Sequence, residues 1–176
     1  GMNAKNQLRS QWHHVIDVAP TILEAAGLPE PKSVNGVVQE PIQGVSMLYA
    51  FDNPDAADQR KTQYFEIAGN RGIYHDGWFA GVVHSAPWET KPRHPLLEDK
   101  WELYDTRKDF SLANDLAASN PAKLKEMQDL FMSEAIKNRV LPLDDRRYER
   151  QNAAMAGRPD LMGGRTSLTL SAGMTG

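Results

Sequence analysis

Apolar residues recur at helical spacing near the start of the chain, in the stretch HHVIDVAPTILEAAGLPEP. Val15, Val18 and Ile22 are three and four residues apart, which places their side chains on one face of an α-helix. Asp17 is of a type favoured at a helix N-cap, and Gly27 is of a type favoured just beyond a helix C-terminus. The segment therefore predicts a helix of about two to three turns with one apolar face.

Glycine and proline interrupt the next part of the chain, from residue 29 to residue 61, at six positions. Breaks this frequent leave no room for long helices or strands. We expect a surface excursion here, with one short helix around Val45 to Ala50.

The pattern changes at Thr62, where aromatic and β-branched residues collect in three short runs that suit a pleated, half-buried sheet. Asp76 and Gly77 separate the second run from the third and predict a tight hairpin turn, because Gly accepts a positive φ. A fourth short strand in KWELYDTRKD ends at Asp105, so we expect a four-stranded antiparallel sheet. The three runs are Tyr64, Phe65 and Ile67; Ile73 and Tyr74; and Trp78, Phe79, Val82 and Val83.

One long amphipathic helix is predicted after the strands. Asn120 and Pro121 are favoured at its N-cap and first position, and its apolar stripe runs to about Asn138. A helix with such a stripe must bury it, and the half-apolar sheet is the available partner. The stripe consists of Leu124, Met127, Leu130, Phe131 and Ala135.

The predicted fold class is α+β: a four-stranded antiparallel sheet packed against one long amphipathic helix, with an N-terminal helical arm and an irregular C-terminal tail. We expect three segments. Residues 1–61 hold the arm and the excursion, residues 62–143 hold the sheet and the helix, and residues 144–176 form a tail in which TSLTL alone looks strand-like.

The composition narrows the classes of function. The 20 basic and 23 acidic residues give a net charge of -3, which disfavours nucleic acid and anionic membranes as partners. The chain has no cysteine, which excludes disulfides, thiolate ligands and a thiol nucleophile within it. No apolar run approaches the length of a membrane span. Gly1 ahead of Met2 is typical of a cleaved tag, and the compartment, cytoplasmic or periplasmic, is left open.

Two residue pairs suggest a metal site, and neither has supporting spacing. Asp144 and Asp145 lack the converging oxygen ligands that hard cations require, and Arg146 follows them, so a solvated charge run explains them better. His13 and His14 would point about 100° apart on a helix. We expect one of them to pack and the other to be exposed, and we predict no metal ligands in this chain.

The stretch TQYFEIAGNRGIYHDGWFAGVVH, residues 62–84, carries the other candidates for binding. Asn70 and Arg71, at a strand connection, could present an amide and a guanidinium to an anion. His75 adjoins the Asp-Gly turn. An ordinary hairpin with Asn70 shaping its first turn explains the same residues, and residue types alone favour that interpretation.

A serine triad is the remaining enzymatic hypothesis. Ser85 with His84 or His94 and an acid could be assembled, but no G-x-S-x-G elbow surrounds Ser85. We therefore predict no catalytic residue within the chain.

Three segments, in order, resemble type I sulfatases, in particular bacterial arylsulfatases of the alkaline phosphatase-like superfamily. HHVIDVAPTILEAAGLP is similar to their H-V-x-D-x-x-P-T-x-L-E-x-A-G pattern, and QYFEIAGNRGIYHDGW to their aromatic strand, G-N-R turn and hairpin. WELYDTRKDFSLANDLAASNPAKLKEM is similar to their E-L-Y-D, N-D-L-A and P-x-K-L-x-E-L ending. The resemblance spans roughly residues 8–150. AGRPDLMGGRTSLTL resembles a connector that leads, in one subgroup, to a further β-rich domain.

The resemblance implies a hydrolase of sulfate esters with a large α/β domain and a smaller C-terminal domain packed on it. Its nucleophile is a formylglycine made from a C/S-x-P-x-R motif, and a divalent cation, usually Ca²⁺, polarises the sulfate. The same superfamily contains phosphodiesterases and phosphonate monoester hydrolases with similar ends. Those activities stay open, as does a non-enzymatic interaction module.

This chain departs from the family pattern at the nucleophile. The stretch SAPWE has Glu89 where the motif requires Arg. The chain therefore resembles the C-terminal subdomain of an arylsulfatase, truncated at both ends, and we expect it to be inert alone and to hold no cofactor. The expected partner is the missing N-terminal catalytic domain, with residues 1–61 at the junction.

Two further expectations follow from the resemblance. The apolar face of the first helix would lack its cover in the truncated chain, so a homodimer through that face is a hypothesis. In the parent protein, Asn70 and Arg71, and less firmly His75, would line the rim of the catalytic cleft.

Overall fold

The computed structural model describes residues 4–86, 88–89 and 94–146 of the chain. A four-stranded antiparallel sheet carries one long helix, and an N-terminal arm with short helices leads into it. The predicted α+β class is confirmed. The elements are α1 (Val18–Ala25), β1 (Ser33–Val34), β2 (Val37–Val38), α2 (Leu48–Phe51), β3 (Thr62–Ile67), β4 (Asn70–His75), β5 (Trp78–Val82), β6 (Glu102–Asp105) and α3 (Pro121–Lys137), with 3₁₀ turns at Val15–Asp17 and Leu96–Glu98.

The larger sheet is a meander in the order β3-β4-β5-β6. The predicted hairpin turn between β4 and β5 is present, with φ of 43° at Asp76 and 84° at Gly77. Ala68 and Gly69, with φ of 50° and 88°, make the turn between β3 and β4. Asn70 begins β4 and also shapes this turn, as predicted, because its side-chain amide donates to the carbonyl of Ile67 (3.2 Å).

One face of the sheet and helix α3 enclose the core. Phe131 is 2% exposed, and Met127 and Ala135 are fully buried with it. They pack on Ile73 and Leu103. These two residues lie on the same face of the sheet because each is a register partner of Ala80. Helix α3 ends at Lys137, as its apolar stripe predicts, although Asn120 makes no side-chain capping bond at its start.

Aromatic residues from the arm cover part of the opposite face. The Trp12 ring stacks on Tyr74 with centroids 4.2 Å apart and planes 9° apart. On the same face, the Phe79 ring lies across Gly72 and Gly81, where an added Cβ would approach it to 2.9 Å and 2.8 Å. The two strand glycines are therefore sites of close approach by an aromatic ring.

A buried ion pair ties the arm to the sheet. The side chain of Asp17 is fully buried and accepts hydrogen bonds from the guanidinium of Arg60 and from the backbone N–H of Val45 (2.8 Å) and His14 (2.9 Å). The prediction that Asp17 caps helix α1 is wrong, because the carboxylate is turned to Arg60 and makes no capping bond there. Gly27, with φ of 66°, ends α1 as predicted.

The predictions for the excursion and for the two adjacent histidines were correct only in part. The short helix α2 lies within the excursion, but the excursion also holds the β1–β2 hairpin, whose Asn35-Gly36 turn was a signal for it. The prediction for His13 and His14 is wrong in part, since both side chains pack, on Tyr49 and Phe65 respectively.

The tail predictions lie mostly outside the described residues. TSLTL and the connector-like segment fall between residues 147 and 176, so the three-segment division stays a prediction. In the described part of the chain, no helix combines the length and the apolarity needed to cross a membrane.

Candidate functional site

A polar cluster lies at the end of the sheet where β4 begins and β5 ends. Arg71 and Val82 are register partners, so the strand start and the segment after β5 are neighbours. The side-chain oxygen of Asn70 accepts hydrogen bonds from the backbone N–H of His84 (2.9 Å) and Ser85 (3.2 Å), and its amide donates to the carbonyl of Ser85 (3.0 Å). Asn70 thereby sets the path of the chain that carries His84.

Arg71 is satisfied inside the cluster. Its Nη1 donates to Oδ2 of Asp99 and to the carbonyl of Gly69 (3.0 Å), while Nη2 donates to the carbonyl of Leu96 (3.2 Å). The guanidinium also lies 5.4 Å from the ring centroid of Trp101. The side chain of Arg71 is 8% exposed and that of Asp99 is fully buried. The pair therefore holds the loop to the sheet and does not face solvent.

Two imidazoles share the other oxygen of Asp99. His84 Nδ1 lies 2.9 Å and His94 Nε2 lies 2.7 Å from Oδ1, with the ring centroids 4.9 Å apart. The His84 side chain is fully buried, whereas that of His94 is 45% exposed. On its far side, His84 Nε2 lies 3.4 Å from Oδ2 of Asp145. The cluster thus opens to solvent at His94.

Asp99 is ionised in this arrangement. Burial alone would raise the pKa of Asp99, but hydrogen bonds from His84, Arg71 and His94 outweigh it and bring the pKa below its ordinary value. The carboxylate is therefore a permanent negative charge between one guanidinium and two imidazoles.

The structure separates the three sequence-predicted rim residues. Asn70 and Arg71 both belong to the cluster, whereas His75 lies at the opposite end of β4 and pairs through Nδ1 with the Thr62 hydroxyl (2.8 Å). Their assignment to a cleft rim stays a prediction. Of the aspartate pair, Asp144 binds Arg146 and Asp145 turns to His84.

Sequence reasoning weighed His84 and His94 only as parts of a serine triad and missed their grouping with Asp99. Their separations of ten and five residues match no metal or catalytic motif. The signal was limited to two histidines and an aspartate within one proline-containing loop.

The cluster does not fit the calcium site that the family resemblance implies. Ca²⁺ takes six to eight oxygen ligands, and this group offers two imidazole nitrogens and one carboxylate oxygen. The family's cation therefore cannot be assigned to this cluster.

A second surface feature is an open groove of about 1200 Å³ beside the sheet face that carries Trp12. Aromatic rings supply much of its wall. Its charged lining residues are Arg9, Arg107, Asp55, Asp58 and Asp76. The aromatic residues are Trp12, Phe65, Tyr74, Phe79 and Phe110.

No family model matches the chain. The solved structures to which it is similar are sulfatases. They include BT4656 in complex with its substrate D-glucosamine-2-N,6-O-disulfate (24% identity, TM-score 0.48, 74% of this chain and 25% of that chain). The Bacteroides thetaiotaomicron protein BT33336S-sulf has 21% identity and a TM-score of 0.44 over 66% of this chain and 24% of that chain. Ps i-CgsB has 22% identity and a TM-score of 0.47 over 81% of this chain and 28% of that chain. The chain spans about a quarter of the length of each of these proteins.

Proposed function

We propose that this chain is the C-terminal subdomain of a sulfate-ester hydrolase of the arylsulfatase type, which packs on the catalytic α/β domain and borders its cleft. The observation that carries the packing is the state of helix α1. Val18 and Ile22 in the helix are 44% and 60% exposed, and Val15 in the 3₁₀ turn just before it is 75% exposed, although the helix is held in place by the buried Asp17–Arg60 pair. An anchored helix with a bare apolar face is typical of a surface that another domain covers.

The motif residues behind the resemblance also support the proposal, because they connect the three segments physically. The His14 ring in the first segment lies edge-on to Phe65 in the second, with ring centroids 5.5 Å apart. Trp78 in the second segment and Asp105 in the third are register partners in the sheet. The similar segments therefore form one packed unit, as a shared domain requires.

Under this proposal the chemistry belongs to the remainder of the protein. A formylglycine and a divalent cation, usually Ca²⁺, would supply the nucleophile and the charge stabilisation there. The present chain would contribute packing and the cleft border, and it would have no activity alone.

At the proposed rim of the cleft, Arg71 would act by holding a loop in place. Its guanidinium faces Asp99 and two carbonyls, so any effect on substrate would pass through the loop that it holds. Replacing Arg71 by Ala in the full-length protein should raise KM more than it lowers kcat. Arg107→Ala, near the opposite end of the sheet, is the matched control, and an unchanged KM in the Arg71 variant would count against the assignment.

The proposal is tested with the complete reading frame. It should encode C/S-x-P-x-R upstream, and the purified full-length protein should hydrolyse an aryl sulfate in the presence of Ca²⁺. Absence of the motif, or of turnover, would contradict it. Preferred hydrolysis of an aryl phosphodiester or a phosphonate monoester would assign the protein to the related hydrolases instead.

A non-enzymatic interaction module is the alternative that one observation favours. The aromatic groove beside Trp12 and Tyr74 is a ready surface for a partner. An upstream reading frame without the sulfatase motif would select this alternative.

A further inference from the structure

We propose that His84, His94 and Asp99 form a binding site for a transition-metal ion of the Zn²⁺ type. Each residue offers one ligand atom, and the three atoms all lie within 4.8 Å of one another. They come from the segment after β5 and the loop that leads to β6. Two imidazole nitrogens and one carboxylate oxygen are a donor set that Zn²⁺ prefers and that Ca²⁺ and Mg²⁺ do not.

The distances require only small adjustments. Ligand atoms of a tetrahedral Zn²⁺ lie about 3.3 Å apart when the metal bonds are about 2.0 to 2.1 Å long. His84 Nδ1 and His94 Nε2 are 2.9 Å and 2.7 Å from Asp99 Oδ1. The two nitrogens need to move about 0.4 and 0.6 Å from the oxygen to admit the ion, and they lie within 4.8 Å of each other. Each ring nitrogen would bind the ion through its lone pair, so the hydrogen that it directs to Oδ1 must leave that nitrogen.

The groups around the three residues are arranged as a metal site requires. Ligating histidines usually donate their second ring nitrogen to a carboxylate, and His84 Nε2 faces Asp145 at 3.4 Å. Asp99 keeps Oδ1 toward the imidazoles because Arg71 holds Oδ2. Asn70 fixes the backbone at His84, so both buried ligands are oriented before any ion binds.

Access and charge also suit an ion. The partly exposed ring of His94 is the opening of the site, whereas His84 and Asp99 form its buried floor. Among the described residues, Asp99 and Asp145 bring carboxylates to the imidazoles, and Arg71 is the cation that binds Asp99. Three protein ligands leave a fourth position for water or another small ligand.

The test is a titration of the untagged chain with Zn²⁺, after treatment with a chelator, by calorimetry and by thermal unfolding. We expect one ion per chain, a higher Tm with Zn²⁺ and no response to Ca²⁺. Co²⁺ should give the visible absorption of a tetrahedral site. The absence of binding, or binding of several ions with no change in Tm, would overturn the proposal.

The variant His94→Ala removes the most accessible ligand. Its Zn²⁺ affinity should fall by more than the about 10- to 100-fold that loss of an outer partner costs. His75→Ala is the matched control, because His75 lies at the other end of β4, and its affinity should equal that of the original chain. Equal affinity in His94→Ala would overturn the proposal.

Folding of the variants is checked separately by circular dichroism. If His94→Ala does not fold, His94→Gln keeps a polar side chain at this exposed position and should show the same loss. The experiment needs no catalytic domain, so its failure leaves the sulfatase proposal standing, and failure of the sulfatase assay leaves the metal site standing.

Discussion

At the scale of single residues, Asp17 contributes most to the connection between the arm and the sheet. Its carboxylate is fully buried and is satisfied by Arg60 and two backbone N–H groups. Removing one member of a buried ion pair is costly, because the other member is left charged without a partner. These hydrogen bonds all involve one carboxylate, but they fix the position of helix α1.

Replacing Asp17 by Ala should lower the free energy of unfolding by about 3 to 5 kcal/mol, because Arg60 would stay buried and unpaired. Urea denaturation followed by circular dichroism measures the change. Asp129→Ala is the control, because Asp129 pairs with Lys125 on the exposed side of α3, and its loss should cost about 0.5 kcal/mol. Equal effects of the two substitutions would show that the Asp17 pair is not a major anchor.

The same carboxylate should make stability dependent on pH. Burial would raise the pKa of Asp17, but the bonds from Arg60, Val45 and His14 outweigh it and lower the pKa below 3.8, its ordinary value. A group with a lowered folded pKa stabilises the protein above its unfolded pKa and loses that contribution as the pH falls through its folded pKa.

We therefore expect the urea midpoint to fall as the pH drops below about 4, with Asp99 adding to the effect for the same reason. The Asp17→Asn variant should be less stable at neutral pH and should show a shallower decline in acid. A decline as steep as that of the original chain would assign the acid sensitivity to other groups.

At the scale of elements, β4 and β5 are fitted to one aromatic side chain. Gly72 and Gly81 are register partners, and Phe79 lies over both. Strand glycines are normally unfavourable, and here they leave the room that the ring occupies.

Replacing Gly81 by Ala should destabilise the chain by about 1 to 3 kcal/mol, because its Cβ would lie 2.8 Å from Cε1 of Phe79. In a Phe79→Ala background the same substitution should be neutral or stabilising. A double-mutant cycle from denaturation measures this coupling, which we expect to be about 0.5 to 3 kcal/mol. Additive effects would mean that the ring does not restrict the position.

The exposed apolar face of helix α1 is the candidate surface for self-association. Val15→Ser with Ile22→Ser should change the stability of the isolated chain by about 0.5 kcal/mol or less, because both side chains are already exposed. The double substitution should abolish self-association if the chain forms a homodimer through this face. Light scattering over a concentration series measures the mass.

Val37→Ser with Val38→Ser is the matched control, since both residues are exposed on the β1–β2 hairpin. A monomer mass that does not change with concentration in the original chain would refute the homodimer hypothesis. The cover of this face by a catalytic domain would remain to be tested in the full-length protein.

At the scale of the whole molecule, the described residues form one unit that contains two buried ion pairs, Asp17–Arg60 and Arg71–Asp99. Helix α1 leaves an apolar face exposed on it. No formylglycine motif occurs in the sequence, and the histidine-rich cluster does not suit Ca²⁺. The proposed function assigns this unit the role of a subdomain that contributes surface to a larger enzyme.

We expect the isolated chain to show no hydrolysis of an aryl sulfate with added Ca²⁺, because it carries no nucleophile of the family type. The full-length protein, assayed in parallel, is the positive control. Turnover that copurifies with the isolated chain and disappears in its Asp17→Ala variant would contradict this expectation.

Much of the architecture was readable from local pattern. The strand runs, the Asp76-Gly77 turn and the stripe of α3 depend on periodicity and on backbone preferences, which are properties of neighbouring residues. The β1–β2 hairpin was missed although Asn35-Gly36 marks it, since its strands have two residues each.

The candidate site was not readable in this way. His84, His94 and Asp99 meet at the end of the sheet, where Arg71 on strand β4 binds Asp99 and the carbonyl of Leu96. Asp17 looked like a helix cap because sequence shows its neighbours and not Arg60, which lies 43 residues away. Periodicity is encoded by adjacent residues, whereas the partner of a buried charge is selected by packing of the whole chain. For that reason the elements followed from sequence, and the ion pairs and the imidazole cluster required the folded structure.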